Sequence, residues 1–522
     1  MTDLPRVTYS NVDVDFGAVH AEFDERLPRF ERDDLGGTWG AIVGAKRNVL
    51  VGVRRDAPSP IDRDLLLGSF TSATSEVLDE AIRTAAGMSM AWAATSTRER
   101  VSVVRAFSRT LAQRRFRLAM ASLFEVGKSR LEAIGEAEEA VDLSDYYASE
   151  VQRNDGYLYP LSRVRDRETT ESILRPFGVF AVIAPFNFPV ALSVNMITGA
   201  LITGNTVVFK PAPGCGLSGR MIVEAALDSG IPPGVINLVL GDAEVGHALA
   251  NHPLISGIAF TGSHAVGMAL ARAALGGEYA KPIIAEMGGK NPAYVTAQAD
   301  LDIAAQGIAR SAFGLQGQKC SACSTVYVEQ AVRDIFVAKL CAFSATLKLG
   351  DPRAADTFLG PVQTQETVDR FKAAVDEVPR VGRVIMGGRQ ITADALARGF
   401  FLEPTVVELY EPGPLSRDEL FMPFLAIRAV PTLSAALDEG NAVKYGLAAG
   451  IYTKNVDELE YFTNKVEAGV IYANRASGAT TGAWPGVQSF CGWKGSGVSH
   501  KGGLGPYFLP LFTREQSRTI VV

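Results

Sequence analysis

The chain has 522 residues, 47% hydrophobic and 21% charged, with a formal net charge of −6 and an isoelectric point near 5.6. That length admits two or three domains of roughly 100–200 residues with a large core, and the acidic balance argues against nucleic acid or an anionic membrane as main partner. Five thinly spread cysteines (Cys215, Cys320, Cys323, Cys341, Cys491) do not make a disulfide framework and point to a reducing, cytoplasmic setting, while the five histidines show no HExxH or similar spacing, so no metal is expected.

Met1-Thr2-Asp3-Leu4 carries no basic segment followed by an apolar run, so no secretory signal is expected. Residues 1–70 read as mixed and turn-rich, with loops at Gly36-Gly37 and Pro58-Ser59-Pro60. From about Ser75 to Ala148 the apolar spacing is helical, with Ser75 as the cap. Alternation around Tyr157–Thr170 predicts an exposed hairpin, either a plain surface feature or one that pairs with another subunit. No charged residue stands between Arg175 and Lys210, long enough to span a bilayer. Pro185, Asn187, Pro189, Asn195, Gly199 and Gly204 interrupt the stretch, however, and a buried strand, loop, helix and strand explains it better.

Strands and helices then alternate: a strand at Gly178–Ala184, a helix at Val190–Ile202, a strand at Asn205–Phe209, a helix near Ser218–Leu227 and a strand at Val235–Leu240. A helix near Ala243–Ala250, a strand at Gly257–Thr261, a helix from about Ser263 and a strand at Pro282–Ala285 follow. This implies a parallel sheet covered on both faces, with ligands beyond the carboxyl ends of its strands. A second α/β run reaches Ala476, with strands at Ser324–Val328 and near Val384-Ile385-Met386, the segment Phe424–Val430 and a helix at Ala331–Leu347. The tail is rich in glycine and aromatics and ends in a strand-like Ser517–Val522.

Five stretches carry chemistry. In Phe313–Ala322 a cysteine, Cys320, follows Lys319 among glycines; a neighbouring cation lowers a thiol pKa, and bare backbone admits a substrate. Pro185-Phe186-Asn187-Phe188-Pro189 places an amide after a strand end, where its N–H can donate to an oxyanion. Asn205–Ala212 ends a strand with Lys210, a donor for ribose or phosphate. Phe260–Gly267 is a strand, turn and helix start, whose free N–H groups suit a pyrophosphate. Ile283–Pro292 sets Glu286 at the end of an apolar strand, where burial raises a carboxyl pKa towards that of a general base for water. Each also has a plainer reading: Cys320 as a core cysteine, Asn187 as a turn residue, Lys210 as a solvated strand end, Ser263 as a helix cap, Glu286 as half of an ion pair.

Together, PFNFP, NTVVFKPA, FTGS, EMGGKNP and GQKCSA, in that order, with Glu286 thirty-four residues before Cys320, resemble the aldehyde dehydrogenase superfamily from about residue 75 to the C-terminus. The resemblance implies an α/β fold of two doubly wound parallel-sheet domains plus a small β oligomerisation element. Residues 1–155 and 174–286 would form the dinucleotide-binding domain and 287–478 the catalytic domain. Residues 156–173 and 479–522 would form the oligomerisation hairpin and the C-terminal arm with a substrate anchor loop. It implies Cys320 as nucleophile, Asn187 with the Cys320 N–H as oxyanion donors, and Glu286 as base for hydrolysis of a thioester; Glu286 speaks against the branch in which a thiol replaces water. NAD would lie along Ala184, Pro185, Phe186, Lys210, Ala212, Gly241, Thr261, Gly262 and Ser263, reaching Glu286, Glu419 and Phe421.

Within that superfamily FGLQGQKCSACS and the segment Gly486–Gly497 are similar to the Δ1-pyrroline-5-carboxylate dehydrogenase branch, which oxidises L-glutamate γ-semialdehyde in proline catabolism. The likeness implies Ser321, Gly503 and Leu504 as grips for a substrate carboxylate, Phe188 and Phe490 as aromatic walls, and Lys319 and Glu139 beside them. There are departures. Pro213 stands where a ribose-binding glutamate is usual, which leaves NADP open as an alternative; Met422 and Cys491 replace usual glycines, and Cys323 reads as a bystander rather than a redox partner of Cys320. Two other readings stand beside the leading one: a dehydrogenase for another semialdehyde or an apolar aldehyde, and a non-catalytic protein of the same fold. A small-molecule aldehyde, no nucleic acid, no membrane and a homodimer or higher homo-oligomer are the expected partners.

Overall fold

The computed structural model describes residues 4–9, 11, 14–476 and 483–521. Two seven-stranded sheets dominate it. In the first the strands run in the order Ile283–Met287, Gly257–Gly262, Val179–Ile183, Thr206–Lys210, Ile236–Leu238, Ala41–Val43 and Lys46–Val49. The first five are mutually parallel. The last two pair antiparallel and come from the turn-rich N-terminal region, so the sheet is longer than the sequence pattern implied. Val179–Ile183 is followed in sequence by its neighbour on one side and, later, by its neighbour on the other. The order of the chain therefore reverses at this strand, the kind of switch point beyond whose carboxyl end sheets of this type bind ligands.

The second sheet runs Gly382–Met386, Thr405–Leu409, Phe424–Val430, Cys323–Glu329, Asn291–Val295, Ala448–Tyr452 and Val470–Ala473, parallel except at its first edge pair. The strand carrying Glu286 leads through Gly288-Gly289-Lys290 directly into Asn291–Val295, so the chain passes from one sheet to the other at the proposed base. A third, antiparallel sheet joins Leu158–Pro160, Glu168–Pro176 and Thr513–Val521. Its long strand overruns the expected boundary at residue 173 by three residues.

The helical stretch after residue 74 differs from expectation in detail. It is four helices, Ser75–Ala94, Thr97–Gln113, Arg115–Val126 and Arg130–Arg153, and the first is capped by Thr74 rather than Ser75. A capping box between Ser96 and Glu99 starts the second, and Gly127 at φ 80° ends the third. A helix at Gly17–Asp33 was not foreseen.

Two buried carboxylates on this helical layer reach into the first sheet. Helices Ala191–Ile202 and Gly216–Asp228 have no capping side chain of their own. Glu136 Oε1 accepts from the N–H groups of Val190 (2.8 Å) and Ala191 (3.1 Å), and Glu125 Oε1 from those of Leu217 (2.7 Å) and Ser218 (3.2 Å). A carboxyl oxygen at a helix N-terminus satisfies orphan donors, although burial raises the Glu125 carboxyl to about 8, so its cap does not depend on full charge. The first helix follows directly on Asn187-Phe188-Pro189, so its cap also positions that turn.

Candidate active site

The helix Leu301–Phe313 ends at Gly314, after which Leu315 (φ 48°), Gln316 (φ 55°) and Gly317 (φ 68°) are all left-handed. Such backbone costs a non-glycine residue about 1–3 kcal/mol, so surrounding contacts must hold it. Leu315 N–H donates to Glu132 at 3.2 Å, and Gln316 Nε2 donates to the Gly127 carbonyl at 3.2 Å. At Gly317 a Cβ would lie 2.3 Å from the Met422 carbonyl oxygen, so this position takes glycine alone. Beyond the turn, Asn291 Nδ2 donates to the carbonyls of Cys320 (2.7 Å) and Ala322 (2.9 Å), while its Oδ1 accepts from Ala448 N–H at 3.0 Å. Asn291 thus ties the cysteine loop to the segment that leaves Glu286.

Cys320 faces a narrow, mostly apolar cleft. All the residues expected to meet substrate line it: Phe188, Lys319, Ser321, Phe490, Gly503, Leu504 and Glu139. Glu286 and Thr261 do so too, joined by Tyr9 and Asn195. Asn187 is buried beside this loop rather than on the cleft wall, its Nδ2 donating to the Gln318 carbonyl at 2.9 Å. Leu504 departs from the expectation of a free donor. Its N–H is taken by the Tyr147 hydroxyl at 3.1 Å, which itself donates to Asn195, leaving Ser321 and Gly503 of the three expected anchor groups.

Burial sets the electrostatics. Desolvation holds the Glu286 carboxyl well above its ordinary pKa, countered by the Gly492 N–H, and Oε2 has no partner among the described residues. Among the described residues it is not half of an ion pair. Burial, then the nearby Glu419 and Glu286 carboxylates, push the Cys320 thiol up to about 12. The expected help from Lys319 does not materialise, because its ammonium pairs with Glu132 at 2.7 Å. The N–H groups of Ser321 and Cys320 oppose the rise instead. Glu139, buried, is raised to about 7 by desolvation, and the Tyr9 hydroxyl donates to it at 2.7 Å. Cys323 is buried, its thiol directed at the Thr325 carbonyl, 3.6 Å away.

The groove expected to hold a cofactor starts at the strand ends of the first sheet. Ala212 and Gly241 border a cleft with Pro213, Asp242, Arg55 and Gln363. Lys210 is buried rather than solvated; desolvation lowers it to about 8, and Nζ donates to the Pro211 carbonyl at 3.1 Å. Ala184 N–H donates to the Lys210 carbonyl at 3.1 Å, so Ala184 and Pro185 lie next to that strand end. Ser263 caps the helix His264–Ala274 after Gly262. Nearer Cys320, Phe186 meets Phe421 edge to face at 5.8 Å, and Glu419 accepts from Gly289 N–H at 2.9 Å. A Cβ on Gly288 would sit 1.9 Å from Glu419 Oε2, which explains the first glycine of EMGGKNP.

Sequence reasoning missed Tyr9, Asn195, Asn291 and the Lys128–Glu136 pair beneath Phe188. Asn291 stood within a quoted motif without a role. The others carry no local signal, because their partners lie far along the chain.

Residues 55–517 match the aldehyde dehydrogenase family. With a cysteine loop, a buried carboxyl group and a largely parallel sheet in this arrangement, the chain belongs to that family and is an NAD(P)-dependent aldehyde dehydrogenase. Among its relatives, a 1-pyrroline-5-carboxylate dehydrogenase of Geobacillus sp. (strain WCH70) is 33% identical over 505 residues, covering 95% of each chain. 1-Pyrroline-5-carboxylate dehydrogenase 2 of Bacillus subtilis (strain 168) is 34% identical over 469 residues, covering 88% of each. The structure of 1-pyrroline-5-carboxylate dehydrogenase from Thermus with bound NAD superposes with a TM-score of 0.92 at 30% identity over 100% of both chains.

Proposed function

We propose that the chain oxidises L-glutamate γ-semialdehyde, the open form of Δ1-pyrroline-5-carboxylate, to L-glutamate. The observation that carries this reading is the composition of one cleft, where a thiol, an unpaired buried carboxylate, two aromatic walls and polar anchors face the same space. Phe188 and Phe490 match a short aliphatic chain, Ser321 and Gly503 a carboxylate, and Glu139 an α-ammonium. Cys491, in place of a glycine, favours the alternative of another semialdehyde, though its thiol turns to the Gly469 carbonyl at 3.3 Å.

Cys320 sulfur adds to the aldehyde carbon, and the resulting oxyanion accepts from the Cys320 N–H and from the second N–H of the Asn187 amide, whose first is held by the Gln318 carbonyl. The groove fits NAD: Lys210 suits the adenosine ribose, the helix end at Ser263 a pyrophosphate, and Glu419 with Phe421 the nicotinamide ribose and ring. When bound, NAD supplies the hydride acceptor. Glu286 then takes a proton from water, whose oxygen displaces sulfur from the Cys320 thioester and releases the acid. NADP is the alternative cofactor, since Pro213 places no carboxylate against a 2′-phosphate.

Substrate profiling tests the reading. Purified protein should form NADH far faster with pyrroline-5-carboxylate than with succinic semialdehyde, and the reverse order overturns the assignment. The same reading makes the chain a cytoplasmic homo-oligomer. Its five cysteines are free thiols, and strand Thr513–Val521 leaves Ile520 and Val521 exposed at a sheet edge. Light scattering should give at least a dimer, and a chain ending at Phe512 should give monomer. Among the described residues no helix is long and apolar enough to cross a membrane.

A further inference from the structure

Tyr9 lies outside the stretch that matches the family, yet it forms part of the cleft wall. Its hydroxyl donates to Glu139 Oε2 at 2.7 Å. Its ring packs edge to face on Phe188 (6.2 Å) and on Trp484 (5.5 Å), and Lys319 Nζ lies 5.8 Å from its centre. The segment that brings it there is tied down. Val7 is buried, Arg6 pairs with Asp142, and Trp484 Nε1 donates to the same carboxylate at 2.6 Å.

Helix Arg130–Arg153 is built to receive this ring. Four residues before Glu139 stands Gly135, where a Cβ would lie 3.2 Å from Tyr9 Cε1. A larger residue at 135 would push the ring away from the carboxylate. Tyr9 and Lys319 also border an adjoining cleft lined by Thr8, Phe16, Glu132 and Phe343. Ring and ammonium are thus the partition between the two spaces.

We propose that Tyr9 is a specificity-determining residue, whose hydroxyl orients the Glu139 carboxylate towards the α-ammonium of an amino-acid semialdehyde and whose ring closes that end of the cleft to larger aldehydes. A carboxylate facing apolar walls has many rotamers, and a donor of fixed position selects one of them. The phenol is rigid, so little entropy is lost in holding it. The aromatic partition converts an open trough into a closed end that matches a short chain.

This proposal rests on the substrate reading above, and the test separates the two. KM and kcat are measured for L-glutamate γ-semialdehyde, for 5-oxopentanoate, which has the same chain without the amino group, and for phenylacetaldehyde. The full-length parent, Tyr9→Phe and Tyr9→Ala are compared, with melting temperature as the check on folding. Loss of a hydrogen bond to a charged group predicts that Tyr9→Phe raises KM for the amino semialdehyde about tenfold while KM for 5-oxopentanoate moves less than about twofold. The parent should reject phenylacetaldehyde and Tyr9→Ala should oxidise it; a parent that oxidises it as readily overturns the closing role of the ring. A parent without preference for the amino semialdehyde overturns the substrate reading and with it the role of Glu139. A parent with that preference, left intact by Tyr9→Phe or lost equally for both semialdehydes, overturns the Tyr9 proposal alone.

Discussion

Lys128 Nζ lies 2.7 Å from Glu136 Oε2 and 3.7 Å from the centre of the Phe188 ring, with both charged side chains sealed from solvent. Glu136 also accepts from the Ser122 hydroxyl at 2.6 Å, and its other oxygen caps the helix that follows Phe188. Lys128→Met leaves a buried carboxylate without its counter-ion, so it should destabilise the protein by about 3–5 kcal/mol in urea unfolding. The double change Lys128→Met with Glu136→Leu should recover part of that loss. An equal loss in the double variant would show that the helix cap, not the ion pair, dominates.

Glu286 must lose its proton to act on water, and desolvation keeps it protonated above the usual carboxylate range. Deacylation should therefore speed up as pH rises through that raised value. Glu286→Gln should release one equivalent of NADH in a burst and then turn over about 10²–10⁴-fold more slowly. Stability carries the opposite sign. An acid with a raised folded pKa stabilises the fold below its unfolded pKa and loses that contribution as pH rises towards the folded value. Glu286→Gln should therefore melt at a higher temperature than the parent at pH 8 and differ little at pH 4.

Alkylation of Cys320 by iodoacetamide tests the thiol. With its pKa pushed up to about 12, the rate in the apoprotein should rise about tenfold per pH unit between pH 7 and 9, following the thiolate fraction. Glu419, raised to about 7, carries increasing charge over this range and disfavours the thiolate. Glu419→Gln should therefore alkylate faster than the parent at pH 9. Cys320→Ala should abolish turnover, and full activity in that variant would end the mechanism.

Pro213 carries a prediction about cofactor choice. It borders the same cleft as Arg55 and Asp242, whose side chains lie 3.5 Å apart. Pro213→Glu introduces a negative charge beside the ribose, so KM for NADP should rise more than about tenfold while KM for NAD stays within about threefold. Equal changes for both would place the 2′-hydroxyl elsewhere.

The alternating strands and helices of residues 178–286 were legible in the linear chain, and Cys320, Glu286, Phe188 and Phe490, picked out there, meet at one cleft in the fold. Periodicity reports which faces are buried, and glycines at 288, 289 and 317 mark where backbone must pass close to other atoms. The N-terminal strands Ala41–Val43 and Lys46–Val49 were hidden because each is too short to display a period. Pairing with Ile236–Leu238, almost two hundred residues away, is what makes Ala41–Val43 a sheet strand.

Charge and hydrogen-bond partnership were decided by tertiary structure alone. The sequence places Lys319 beside Cys320, but folding gives its ammonium to Glu132, and a cation already neutralised by a neighbour cannot lower a thiol pKa. Glu136 and Glu125 look like solvated helix residues until the helices they cap are brought to them. Tyr9 acquires its place when the N-terminal segment crosses Gly135. A side chain's type and local pattern are written in the chain itself, whereas solvation and Coulomb energy depend on distances between residues far apart along it, and those exist only once the chain has folded.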